Sequence, residues 1–183
     1  MSIMSLWLPI VASAAAIWLF SALVWTVFPW HKSDFEKVAD QDAVRAALQG
    51  NAPGYYSVPY YCNKSQDDAA QAELKSQYDE GPVAFITVTA SGWPQMGGRM
   101  AKIFLYYLLV GCVCAYFVSR TLAADAAYLS VFRIAGTTAF CSYGMAYFQD
   151  SIWFGRPWSL TAKSLFDALL YALITGGMFG WLA

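Results

Sequence analysis

The chain has 183 residues, of which 58% are hydrophobic, 17% aromatic and only 13% charged. A typical soluble domain is about 25% charged, so this much apolar surface cannot all be hidden inside so short a chain, and lipid is expected to cover part of it. The net charge of −1 leaves no basic face for DNA or RNA, which excludes nucleic acid as a partner on electrostatic grounds.

No charged side chain occurs from Met1 to Trp30, whereas about 20 apolar helical residues cross the ~30 Å hydrocarbon core of a bilayer. The first 30 residues therefore read as a transmembrane helix over Leu6 to Phe28, closed by Pro29. Trp7, Trp25 and Trp30 lie near its ends, where indole rings favour the headgroup zone. The apolar run is too long for a cleaved signal core, and it reads as an uncleaved anchor.

Residues 31–102 change character sharply. Nine Asp and Glu residues fall between Lys32 and Lys102, which marks a water-facing α+β insert. Asp40 ahead of Val44, Ala47 and Leu48, with Gly50 behind, gives the start and stop chemistry of a short helix. Pro53-Gly54 turns the chain into a strand at Tyr55–Val58, and a helix follows over Gln66 to Tyr78, opened by Asp67 and Asp68. Gly81-Pro82 ends that helix, and the β-branched run Val83–Val88 reads as a second strand. Trp93, Pro94 and Met96 read as the approach to the next span. So small an insert buries little by itself and is expected to lean on another surface.

Residues 103–183 hold three further spans: Ile103–Ser119 between Lys102 and Arg120, Ala126–Phe148, and Lys163–Leu182. The predicted fold is thus a membrane all-α protein of four transmembrane helices, with the insert between helices 1 and 2. A Trp-rich loop over 149–162 fits the headgroup zone between the last two spans. The basic residues Lys32, Lys37, Arg45, Arg99, Lys102, Arg156 and Lys163 fall on the insert side, opposed by Arg120 and Arg133. The positive-inside bias then sets the insert in the cytoplasm and both termini outside.

Few residues carry chemistry. Arg133, two turns inside an apolar span, costs a few kcal/mol to bury and is a candidate to face the bundle and hold an anionic headgroup or a partner carboxylate; snorkelling or pairing with Asp125 is the plainer explanation. Asp150, Arg156, Lys163 and Asp167 lie near one interface. They either neutralise one another, with Lys163 and Asp167 paired four apart, or form a pocket floored by Trp153 and Trp158 in which Arg156 grips a phosphate or carboxylate. Gly176 and Gly180 give a close-packing spacing, used either within the bundle or toward a neighbouring subunit. His31 is the only histidine and reads as an interfacial residue; one histidine cannot build a haem, di-iron or three-histidine zinc site, and no metal or other cofactor is implied. Cys112, Cys114 and Cys141 lie in apolar stretches and give no disulfide framework. No Walker loop, nucleophile elbow or zinc-protease motif is present, so an enzyme is not expected.

At His31-Lys-Ser-Asp-Phe, Gly81-Pro-Val-Ala-Phe and above all Asp150-Ser-Ile-Trp-Phe-Gly-Arg-Pro-Trp-Ser, the chain resembles a group of small bacterial membrane proteins with an N-terminal span and a three-span C-terminal half. The resemblance covers nearly the whole length and implies a bacterial inner membrane; it brings no activity with it. The expected function is that of an accessory or scaffolding protein binding a protein partner, within a larger complex or as a homo-oligomer. The rival is a small-molecule or lipid-binding or transport protein acting as an oligomer.

Overall fold

The computed structural model describes residues 2–60 and 68–183. Two units emerge: Met1–Phe35 with Gln95–Ala183, and the insert Glu36–Pro94. His31 to Phe35 therefore belong with the apolar helices.

In the first unit, a 3-10 turn at Ile3–Leu6 leads into α1, Trp7–Thr26. Pro29 then opens a second 3-10 turn, Pro29–His31, where its missing N–H costs nothing. The chain returns in α4, Met96–Thr121, reverses into α5, Tyr128–Gly144, and continues through α6, Ala146–Phe154, to α7, Trp158–Leu182. Three helices, Ile3–Thr26, Met96–Thr121 and Trp158–Leu182, are long and apolar enough to cross a membrane. α4 starts seven residues earlier than the apolar run at Ile103, because Met96 to Lys102 are already helical.

Contacts fix the helix directions. Ile10 meets Gly111 while Trp18 Nε1 donates to the Met100 carbonyl at 3.1 Å, so α1 and α4 are antiparallel. Phe20 meets Tyr171 and His31 meets Asp167, so α7 also runs opposite to α1. α5 is antiparallel to both α4 and α7, with Tyr106 on Ser142, Cys114 on Ala135, and Gly136 on Ala172.

Small residues set the spacing. Ala14, Ala115, Ala135, Ala139, Ala168 and Ala172 are buried, and helices meeting at such residues gain backbone-to-backbone contact that bulkier side chains would prevent. The glycine seam of α7 is used inside the chain. A Cβ on Gly176 would lie 2.9 Å from the Phe132 carbonyl oxygen, and one on Gly180 would lie 2.7 Å from the Tyr128 ring.

Two further boundaries differ from the sequence reading. The third apolar stretch, expected as one helix over Ala126–Phe148, breaks at Met145 into α5 and α6. Tyr106 donates its hydroxyl to the Ser142 carbonyl at 3.0 Å, competing for the acceptor that Ala146 would use in an unbroken helix, and Ser142 itself bonds back to the Thr138 carbonyl. The Trp-rich segment 149–162 is largely helical instead of a loop. α6 ends in a left-handed Gly155 (φ 65°), whose neighbour Arg156 donates its N–H to the Asp150 carbonyl, and α7 resumes at Trp158.

The insert holds α2, Gln41–Leu48, β1, Gly54–Val58, α3, Asp68–Glu80, and β2, Ala84–Val88. Asp40 caps α2 by accepting the Ala43 N–H at 2.9 Å. The two strands pair antiparallel with Tyr56 opposite Ile86, as their β-branched and aromatic content favours. The expected helix start at Gln66 and Asp67, like Cys62, lies outside the described residues.

Candidate functional site

The end of α1 and the start of α7 are joined by a buried polar network that no local pattern announces. Because Pro29 bends the chain out of α1, His31 turns inward, with its side chain 4% exposed. Its Nδ1 lies 2.6 Å from Asp34 Oδ2, and its Nε2 lies 2.7 Å from Asp167 Oδ2. Asp34 Oδ1 accepts from Lys163 Nζ at 2.7 Å, and the same ammonium donates to the Trp30 carbonyl and to Ser33 Oγ. Lys163 and Asp167 therefore do not pair with each other; each reaches across to the segment after α1.

Burial opposes ionisation of Asp34. The hydrogen bonds and charges of Lys163 and His31 outweigh that cost and hold its carboxyl below the usual carboxylate range. The Trp25 indole stacks on the His31 ring, with centroids 4.0 Å apart and planes 7° from parallel. Two short contacts from one imidazole to two carboxylates need a proton in each contact. Either the ring is an imidazolium between two carboxylates, or it is neutral and one carboxyl is protonated. With Lys163 positive, the four groups sum to zero charge in both cases. Since both ring nitrogens face carboxylates, neither is free to activate a nucleophile.

Asp167 Oδ1 is buried and has no hydrogen-bond partner, and the same holds for the neighbouring Trp30 Nε1. Asp167 also lines a cavity of about 480 Å³ between α1, α4, α5, α6 and α7. Its walls are aromatic: Trp25, Tyr106, Tyr107, Tyr143, Tyr147 and Tyr171, with Met96 and Met100 at the start of α4. Tyr106, Tyr107, Tyr143 and Tyr171 pack ring against ring with centroids 5.8 to 6.1 Å apart, mostly edge-on, which leaves a rigid lining.

The other candidates stand elsewhere. Arg133 is exposed on α5, with no ion pair among the described residues, so it does not face the bundle. Arg156 is half-buried with its guanidinium 4.8 Å above the Tyr147 ring, donates to Ser164 Oγ at 2.8 Å, and lies 4.0 Å from Asp150 Oδ2. Trp153 and Trp158 are exposed and are not among the residues that line this cavity. Gly176 and Gly180 pack on α5, as above.

His31 is the residue that sequence reasoning passed over. A single aspartate inside an apolar helix, Asp167, is the signal that could have found it, because such a group must be paired and few partners exist at that end of the bundle. No family model, curated protein or solved structure matches the chain.

Proposed function

We propose that this is a four-span membrane protein that binds an amphipathic small molecule or lipid in the tyrosine-lined cavity. The observation that carries the reading is an aromatic chamber of small-molecule size whose wall includes one carboxylate residue, Asp167. One chain lines the chamber by itself, so binding does not wait on an oligomer.

The four spans rest on helix direction. α4 and α7 both run opposite to α1, so two crossings by them require a return between Thr121 and Trp158. α5 is antiparallel to both, and its 17 residues reach about 26 Å, near the hydrocarbon thickness. Arg99, Lys102, Arg156 and Lys163 belong to the bundle end where α1 finishes, and Arg120 to the other. The positive-inside bias then puts the first end and the insert in the cytoplasm of a bacterial inner membrane, with both termini outside. Alkaline phosphatase fused after Leu48 is expected to be inactive; an active fusion overturns this orientation.

The accessory-protein reading has its own support in the insert. Among its described residues only Pro59 is buried, and α2 and α3 bury none, so the unit has little core of its own and suits a partner's surface. Native mass measurement of the detergent-purified chain tests both readings. A small-mass adduct is expected in the wild type and lost in Ala22→Trp, which fills the chamber from α1. A co-purifying protein favours the accessory role, and a bare chain in both samples overturns the two together.

A further inference from the structure

Asp167 belongs both to the chamber wall and to the charged network. Its side chain is 7% exposed, with Oδ2 held by His31 and Oδ1 sealed beside the Trp30 indole, so the carboxylate is balanced only from within the network, in an apolar surround. The faces of Trp25 and of the tyrosines attract cations, and far more strongly out of water. A metal ion is disfavoured, since no group of three His, Cys, Asp or Glu side chains that could hold one occurs among the described residues. A small hydrated ion would also lose its water to an apolar lining. An organic cation with an apolar body meets both the rings and the carboxylate.

We propose that the chamber takes an organic ammonium group balanced by Asp167, and that each ammonium bound displaces one proton from the His31–Asp167 pair. This rests on the ligand-binding reading above. The electroneutral network holds one proton that either His31 Nε2 or Asp167 Oδ2 can carry. Adding a positive ligand to a neutral, desolvated cluster is unfavourable, whereas releasing that proton to the buffer restores zero charge. The titratable groups around Asp167 are His31 and Asp34 from the segment after α1, Tyr107 from α4, Tyr147 from α6, and Lys163 and Tyr171 from α7. Among these, the proton in the short His31–Asp167 contact is shared by the one carboxylate residue that lines the chamber.

Binding of benzyltrimethylammonium to the full chain in maltoside micelles tests this, with neopentylbenzene as its uncharged isostere. The quaternary probe keeps its charge at every pH, so any pH dependence belongs to the protein. The expected result is an affinity that rises with pH, approaching about tenfold per pH unit, with one proton released per probe when calorimetry is run in two buffers of different ionisation enthalpy. The isostere is expected to bind at least about tenfold more weakly and without pH dependence. Asp167→Asn should lose the cation preference and the pH slope while keeping the isostere, which also reports that the variant is folded; should it not fold, the two probes on the wild type decide alone. Equal binding of both probes, or cation binding indifferent to pH, overturns the proposal and leaves the chamber as a neutral ligand site. Binding of neither probe overturns the chamber reading itself. Displacement of the probe by phosphatidylethanolamine but not by phosphatidylglycerol assigns the ammonium to a lipid headgroup, and displacement by neither assigns it to a free amine.

Discussion

Gly176→Val is expected to separate α5 from α7 and to destabilise the protein by about 3 kcal/mol or more, at the upper end of overpacking costs. Even one methyl at this position would stand 2.9 Å from the Phe132 carbonyl oxygen, and a backbone atom cannot rotate away as a side chain can. Gly180 faces the edge of the Tyr128 ring instead, so Gly180→Ala should cost less, with the ring moving aside. Gly177 is the internal control. Its added Cβ meets nothing closer than the Tyr128 hydroxyl at 3.9 Å, and alanine is the better helix former by roughly 1 kcal/mol, so Gly177→Ala should be neutral or stabilising. Unfolding in mixed micelles, followed by circular dichroism, ranks the three. A Gly176→Val protein as stable as the wild type would place the α5–α7 contact elsewhere.

His31→Leu is expected to cost about 3–5 kcal/mol, the range for leaving a buried charge without its partner. The loss arises mainly from Asp167, which would keep neither Oδ2 nor Oδ1 hydrogen-bonded. Removing both groups in His31→Leu with Asp167→Leu should recover much of that loss, because an apolar pair leaves no orphaned carboxylate. Arg45→Ala serves as the contrast. Arg45 and Asp42 form an ion pair whose side chains are 75% and 94% exposed, and such pairs contribute little. Should His31→Leu fall within about 1 kcal/mol of Arg45→Ala, the network would have no structural weight.

The two results probe different kinds of legibility. Gly176 and Gly180 could be marked from spacing alone, because a run of small residues in an apolar helix permits close approach to something. Which helix would fill the space could not be read, since Phe132 and Tyr128 lie more than 40 residues away along the chain. The insert was legible almost throughout, as Asp40 at the cap of α2 and the β-branched runs of β1 and β2 act on their immediate neighbours. The third apolar stretch was misjudged because its break at Met145 is imposed from α4, through the Tyr106 hydroxyl. Of the cluster read from the sequence, Arg156 lies 4.0 Å from Asp150, whereas Lys163 and Asp167 pair not with each other but with the segment after α1. Proximity along the chain favours the local pair, while folding brought Asp34 and His31 within 3 Å of Lys163 and Asp167.

Composition alone marked the apolar segments and the charged insert that divides the first from the rest, because hydropathy and caps depend only on nearby residues; the structure finds three of the helices long and apolar enough for a bilayer. Tertiary structure decided what those helices enclose. His31, Asp34, Lys163 and Asp167, and the tyrosines beside them, acquire their chemistry from desolvation and from partners up to 136 positions away, and neither exists until the helices pack.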